Sequence, residues 1–120
     1  MNKYILALAI APVKKYILDP TGERPVVCTD PNQWANWMQY SKSRIVIQEH
    51  ICNGTILVST VFLGVEIGPR MWETMAFHVN GQEIDWCEFL CERCSGTREQ
   101  ALAQHKSVLD LLTHHAPDAT

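Results

Sequence analysis

The sequence predicts an α+β domain built on an antiparallel sheet with two amphipathic helices, and two observations lead to this prediction. The dipeptide Asn-Gly occurs at 53–54 and again at 80–81, each time between runs rich in β-branched and aromatic residues, which is typical of a β-hairpin. Two other segments, 30–43 and 97–112, repeat apolar residues at helical spacing behind a capping residue. Hairpins and helices in separate stretches are typical of the α+β class.

The length of 120 residues fits one domain, which we place at 1–115, followed by a frayed tail at 116–120. The apolar run at 4–13 is too short to span a bilayer and has no clear cleavage region, so we expect a strand there and no signal peptide. We therefore expect a cytoplasmic protein with reduced thiols and no membrane segment. The net charge of −3 provides no basic surface, so nucleic-acid binding is not expected.

Residues 16–28 predict an N-terminal hairpin, because the turn-forming residues at 19–22 separate two short apolar runs. A helix should follow this hairpin. Asp30 is a suitable N-cap and Pro31 fits the first helical position, and the helix should end near Ser43.

Two tryptophans, Trp34 and Trp37, share one face of this predicted helix. Side chains at this spacing most often pack in a core. The alternative is an aromatic platform for a nucleobase or a partner peptide. Together with Arg70 and Trp72, at the start of a later strand, they are the candidate binding residues.

The first Asn-Gly hairpin has a register that follows from a two-residue turn at 53–54. This turn would pair Glu49 with Val58. The same register would pair Ile45 with Phe62. Both faces of the hairpin are at least half apolar, so we expect it to lie in the centre of its sheet or to be covered on both sides.

The second hairpin should have its turn at 80–81, which would pair Phe77 with Ile84. Strand alternation then predicts one apolar core face and one more polar face. The predicted core face carries Met75, Phe77, Val79, Ile84 and Trp86. The predicted polar face carries Trp72, Thr74, Ala76, His78, Glu83, Asp85 and Cys87.

The last predicted helix begins behind Thr97, which forms a capping-box pattern with Gln100 three residues later. Its apolar stripe should face the sheet. The stripe consists of Ala101, Leu102, His105, Val108, Leu109 and Leu112.

Three cysteines fall within the segment WCEFLCERC at 86–94. Cys91 and Cys94 have the C-x-x-C spacing with which two thiolates bind zinc, and Cys87 with His78 would complete a set of four ligands. The sequence contains no second half-site, and a thioredoxin-like context is also missing. We favour unpaired thiols and no cofactor, with zinc as the alternative.

His105 lies within the apolar stripe of the last helix, where a histidine usually belongs to the core. The alternative is a general base paired with a strand carboxylate such as Glu73. Glu49 and Glu73 both fall on apolar faces, unless each meets an arginine such as Arg44 or Arg70. No complete catalytic set or phosphate-binding loop is present in the sequence, so we favour a protein that is not an enzyme.

Five segments resemble, in the same order, a group of small uncharacterised phage and prophage proteins. These proteins have an LD-G opening, a W-A-x-W helix, the strings S-T-V-F-L-G and F-E-T-M-x-F, and a closing helix with an Ala and a Gly-His pair. The matching segments are YILDPTG, QWANWMQYSKSR, VSTVFLG, WETMAF and TREQALAQHK.

The chain departs from this group in two places. The similar proteins usually have Leu-Asp-His after the glycine that matches Gly64, whereas Val65 follows here and the loop at 68–70 is shorter. If that histidine formed a site with the residues that match Glu73 and His105, this chain has lost one member of it. The cysteine-rich segment is shorter and poor in cysteine in the similar proteins.

The resemblance implies no known activity, and it leads us to expect a non-enzymatic phage or prophage accessory protein in the host cytoplasm. Such a protein would bind a host or defence protein or a small nucleotide signal, and its apolar surface would suit a homo-oligomer. The first alternative is a small binding domain stabilised by zinc at the cysteine cluster. The second is a hydrolase-like enzyme that uses His105 and Glu73.

Overall fold

The computed structural model describes residues 3–10, 12–68 and 70–115, and it confirms the predicted α+β class. The predicted tail at 116–120 lies outside the described residues. The strands β3 to β6 form one antiparallel sheet in sequence order, and β1 and β2 form a separate hairpin. The elements are α1 (Lys3–Ile10), β1 (Tyr16–Leu18), β2 (Pro25–Val27), α2 (Pro31–Tyr40), a single 3₁₀ turn (Lys42–Arg44), β3 (Ile45–Ile51), β4 (Ile56–Ile67), β5 (Arg70–Asn80), β6 (Glu83–Ser95) and α3 (Arg98–His115).

The first segment is a helix, so the prediction of a strand there was wrong. Ala9 is buried against Ala35 and Met38 of α2, and Ile5 and Leu8 pack beside it. These three positions of α1 have the i, i+3, i+4 spacing of one helical face. A short apolar run without alternation does not distinguish a buried strand from a helix, which explains the error.

The cap of α2 is the predicted one. The Asp30 carboxylate accepts a hydrogen bond from the backbone N–H of Asn32 at 2.9 Å, and Pro31 occupies the first position. The helix ends at Tyr40, slightly before the predicted end at Ser43, because residues 42–44 tighten into a 3₁₀ turn. Trp34 is fully buried and attaches α2 to the sheet.

The pairing of β3 with β4 is confirmed near the turn and wrong at the far end. Glu49 pairs with Val58 as predicted. A bulge between Ile45 and Ile47 shifts the register, so Ile45 lies opposite Val61 and not opposite Phe62. Of these two strands, β4 is central in the sheet and β3 forms one edge, so the expectation of a central hairpin is met by β4 alone.

The hairpin of β5 and β6 is shifted from the predicted register. Val79 pairs with Ile84, whereas we expected Phe77 there. The two central residues of the turn are therefore 81 and 82. Gly81 is the first of them and has a φ of 65°. A two-residue turn of this type requires positive φ at its first central position, which glycine adopts without strain. Further along β6, residues 85–88 bulge outward, and the Asp85 carboxylate accepts hydrogen bonds from the backbone of Cys87 and Glu88.

Helix α3 covers one face of the sheet. Its start is the predicted one, since the hydroxyl of Thr97 accepts a hydrogen bond from the backbone N–H of Gln100 at 3.1 Å. Leu102, which we placed in the apolar stripe, is 37% exposed. The residues buried around α3 are Ile56, Val58, Phe62, Trp72, Ala76, Cys91, Ala101 and Val108.

The predicted polarity of β5 is confirmed for one face, where Phe77 and Val79 are buried, and was wrong for the other. Trp72, Thr74 and Ala76 belong to the face that we expected to be polar, yet they are almost fully buried beneath α3. Strand alternation alone separates the two faces of β5 correctly. It does not say which face a distant helix will cover, and the large apolar residues on the other face made that choice ambiguous.

Candidate functional site

A chain of hydrogen bonds, buried at His105, Thr60 and Thr74 and partly exposed at Glu49, joins α3 to three strands. His105 is 2% exposed, and its Nδ1 lies 2.7 Å from the hydroxyl of Thr60. That hydroxyl lies 2.7 Å from the hydroxyl of Thr74, which accepts from Gln104 Nε2 at 3.0 Å. On its other side, His105 Nε2 lies 3.1 Å from Oε1 of Glu49.

One arrangement of protons satisfies every donor in this chain. The Gln104 amide donates to Thr74, and the Thr74 hydroxyl then donates to Thr60. The Thr60 hydroxyl donates to His105 Nδ1, and Nε2–H donates to the Glu49 carboxylate. The hydrogen-bond pattern therefore assigns the neutral Nε2–H tautomer to His105. Complete satisfaction is what a buried polar network needs if it is to stabilise a fold.

The order carboxylate, imidazole and hydroxyl is also the order that activates a nucleophilic hydroxyl. Here the hydroxyl belongs to Thr60, which has no exposed surface and is already bonded to Thr74. A substrate cannot approach a side chain that other side chains surround completely. The arrangement therefore fastens α3 to the sheet and does not present a nucleophile.

Glu73, the partner that we expected for His105, lies on the other face of β5, and Glu49 takes its place. The thiol of Cys94 approaches Oε2 of Glu73 at 3.8 Å, and Glu92 lies beside them. Burial raises the pKa of Glu73, and the neighbouring Glu92 raises it further. Burial, assisted by Glu73, also raises the pKa of the Cys94 thiol, which disfavours the thiolate that a nucleophile requires.

The structure does not bring the four predicted zinc ligands together. Because β6 is extended there, Cys91 and Cys94 point to opposite faces of the sheet. Cys91 is buried beside Val108 of α3, while Cys87 and His78 are exposed and all five cysteines are free thiols. The C-x-x-C spacing suits a metal in a turn, and the sequence alone did not reveal that this segment is a strand.

The predicted binding residues are dispersed. Trp34 and Trp72 are core side chains, and Trp37 is half-buried with its ring edge-on to Phe62 at a centroid distance of 5.9 Å. Arg70 is exposed at the start of β5. The aromatic platform that we considered is therefore not accessible.

An open groove lies on the face of the sheet opposite α3, and we call this face the groove face. The groove has a volume of about 270 Å³. Three cross-strand rows make up the groove face from β3 to β6, because partners in the register share a face. The rows are Ile45–Val61–Glu73–Cys94, Gln48–Ser59–Met75–Glu92 and His50–Leu57–Phe77–Phe89.

Aromatic side chains border this groove. Trp86, which we expected in the core, is 59% exposed and packs edge-on against Phe77 at a centroid distance of 5.0 Å. Phe89 is 51% exposed. The bulge at 85–88 allows this exposure, and no short-range signal in the sequence separates a bulged tryptophan from a buried one. Surfaces with exposed aromatic side chains beside an apolar groove are typical of contact surfaces.

In comparisons with known proteins, no family model, no curated protein and no solved structure matches the chain. The class of the molecule is therefore described by its fold. It is a small α+β domain with a four-stranded sheet that α3 covers on one face. The resemblance to phage proteins stays a prediction. Among the described residues, no helix combines the length and the apolar character needed to cross a bilayer.

We expect the Glu73→Gln variant to be more stable than the wild type at neutral pH, by less than about 1 kcal/mol because the side chain is partly solvated. The pKa of Glu73 is raised in the folded state, so the folded state holds its proton more tightly than the unfolded state. The free energy of unfolding should therefore fall as pH rises from the ordinary glutamate value of 4.5 through the raised value. Because glutamine carries no ionisable carboxyl group, the Glu73→Gln variant should not lose this stability as the pH rises.

The measurement is urea denaturation at a series of pH values, on protein dilute enough to be monomeric by sedimentation. The stabilisation by Glu73→Gln should vanish below pH 4.5, where the wild-type carboxyl is protonated in both states. Glu83→Gln, at an exposed position of the same hairpin, serves as the control. Equal pH dependence of the Glu73→Gln variant and the wild type would contradict the assignment.

Proposed function

We propose that the chain is a non-enzymatic accessory protein of the phage or prophage type, which acts in the host cytoplasm by binding another protein through the groove face. One observation carries the proposal. His105 and the hydroxyl of Thr60 are buried, whereas the groove face is open, largely apolar and carries the exposed side chains of Trp86 and Phe89. A surface of this kind supports contact and not catalysis.

The groove favours a protein target over a small nucleotide signal. Its volume of about 270 Å³ is at the lower limit for a small-molecule site, and it is open. The carboxylates of Glu73 and Glu92 lie on the same face and outnumber Arg44, which lines the groove, so the balance of charge would repel a phosphate group. Exposed aromatic residues beside an apolar centre are, in contrast, the side chains that contribute most to protein–protein binding. A host or defence protein is therefore the target that we propose.

Photo-crosslinking in the bacterial host tests this proposal. The crosslinking amino acid p-benzoylphenylalanine replaces Trp86 at the border of the groove, or Tyr40, which is an exposed aromatic residue of α2 and serves as the matched control. We expect a discrete adduct with a host or phage protein from position 86 and none from position 40. The identified protein should then bind the purified chain, and Met75→Glu in the centre of the groove face should weaken that binding at least tenfold.

Two results would contradict the proposal. One is the absence of any adduct with another protein from position 86 during phage infection and in uninfected cells. The other is a target whose binding is unchanged by Met75→Glu, since the groove face could then not be the contact surface.

A further inference from the structure

The groove face carries charges of opposite sign at its two edges. Arg44, which lines the groove, lies at the β3 edge. Glu73 and Glu92 lie towards the β6 edge, within 4.8 Å of one another, and the repulsion between them helps to raise the pKa of Glu73. Between the two edges the face is mainly apolar. A surface with this distribution is complementary to a copy of itself.

We infer that, in the absence of a target, the groove face is covered by a second copy of the chain. The inference rests on the proposed function in one respect, because both use the groove face as the contact surface. A two-fold axis that runs along the strands between the two sheets places β3 of one copy over β6 of the other, and β4 over β5. Each cross-strand row then meets its own row in the second copy.

This symmetry makes the contacts complementary. Arg44 meets the acidic edge formed by Glu73 and Glu92 of the second copy, and the contact occurs twice. In the middle row, Ser59 of β4 meets Met75 of the second copy. Two-fold symmetry of a contact requires a self-complementary patch of this kind.

A two-fold arrangement with its axis across the strands is disfavoured. An axis across the strands would place each strand over itself, so that the acidic edge of one copy would face the acidic edge of the other. Like charges in a desolvated contact cost several kcal/mol. The charge distribution therefore selects the axis along the strands, with aligned sheets as in a β-sandwich.

The size of the face indicates a concentration-dependent dimer. Four strands about 4.8 Å apart and seven residues long, with a rise of about 3.3 Å each, cover roughly 19 by 23 Å. This planar area, about 440 Å² per copy, lies below the range of stable protein interfaces and within that of weak, transient ones. We expect a dissociation constant on the order of micromolar, so that a target with higher affinity could displace the second copy.

Sedimentation equilibrium of the purified chain, from about 1 to 300 µM, tests the inference. The wild type should change from monomer to dimer in this range, around the micromolar dissociation constant that an interface of this size allows. Met75→Glu should raise the dissociation constant at least tenfold. Ala103→Glu adds the same charge at an exposed position of α3 and should leave the constant unchanged.

Charge reversal tests the geometry itself, with variants at surface positions that are expected to fold. Arg44→Glu and Glu92→Arg should each weaken the dimer at least tenfold. The double variant should restore it, because opposite charges meet again with exchanged signs. Circular dichroism confirms that each variant is folded.

A chain that stays monomeric at all concentrations would overturn the inference, and so would a dimer that Ala103→Glu disrupts and Met75→Glu does not. Failure of the double variant to restore the dimer would also overturn it. These outcomes are separate from those of the crosslinking experiment. A monomer that still forms an adduct with another protein from position 86 would remove the dimer and leave the proposed function intact.

Discussion

Replacing His105 by alanine should lower the free energy of unfolding by about 3–5 kcal/mol. The imidazole is 2% exposed, so its removal leaves a cavity between α3 and the sheet. The hydroxyl of Thr60 also loses the acceptor to which it donates, and a buried donor without a partner costs about 1–3 kcal/mol. Because α3 covers the centre of the sheet, we expect this loss to appear in the global unfolding transition, measured by urea denaturation.

Leu102→Ala provides the comparison within the same helix. Leu102 is 37% exposed and lies one turn before His105, so its truncation should cost less than about 1 kcal/mol. The variant Thr60→Val keeps the shape of the threonine but removes the hydroxyl, and it should have an intermediate effect. An alanine variant of His105 that is as stable as the wild type would show that the hydrogen-bond chain does not hold α3 in place.

The Gly64→Ala variant should lose about 2–5 kcal/mol. Gly64 has φ of 75°, which costs a residue with a Cβ about 1–2 kcal/mol. The added Cβ would also press against Sδ of Met38 and lie 3.2 Å from Nε1 of Trp34. That indole donates to the carbonyl of Gly64 at 2.9 Å, so α2 must move away or lose this bond. Overpacking of this kind adds about 1–3 kcal/mol.

Gly54 is the matched control for this substitution. Its φ of 82° imposes a similar backbone strain, but nothing lies within 4 Å of the position that a Cβ would take. Gly54→Ala should therefore lose only the strain, about 1–2 kcal/mol. The difference between the two variants, measured by thermal or urea unfolding, isolates the contact of α2 with β4. Equal losses would mean that this contact contributes nothing.

Local features of the fold were predictable from the sequence, because each depends on a few adjacent residues. The caps at Asp30 and Thr97 and the pairing of Glu49 with Val58 are of this kind. The bulges after Ile45 and at 85–88 were not predictable, because each depends on how a strand fits its neighbours.

The site shows the same division between local and long-range information. Helical spacing correctly placed His105 towards the sheet, where it meets Thr60 and Glu49. The sequence could not show which strand carboxylate His105 would meet, so we expected Glu73. That choice depends on which face α3 covers, and only the packing of the whole chain decides it. The sequence did not reveal the groove face for the same reason. We expected Trp86 in the core, whereas its side chain is exposed.

The most direct test of the groove face as the contact surface is a nuclear magnetic resonance spectrum of protein labelled with ¹³C at the methionine methyl groups. Met75 lies in the groove, whereas Met38 is a buried residue of α2 that packs in the cluster with Ala9 of α1. As the protein is concentrated from a few micromolar to a few hundred micromolar, or as a target is added, the Met75 signal should shift and the Met38 signal should stay in place. A Met75 signal that stays unchanged while the protein associates or binds its target would contradict the account.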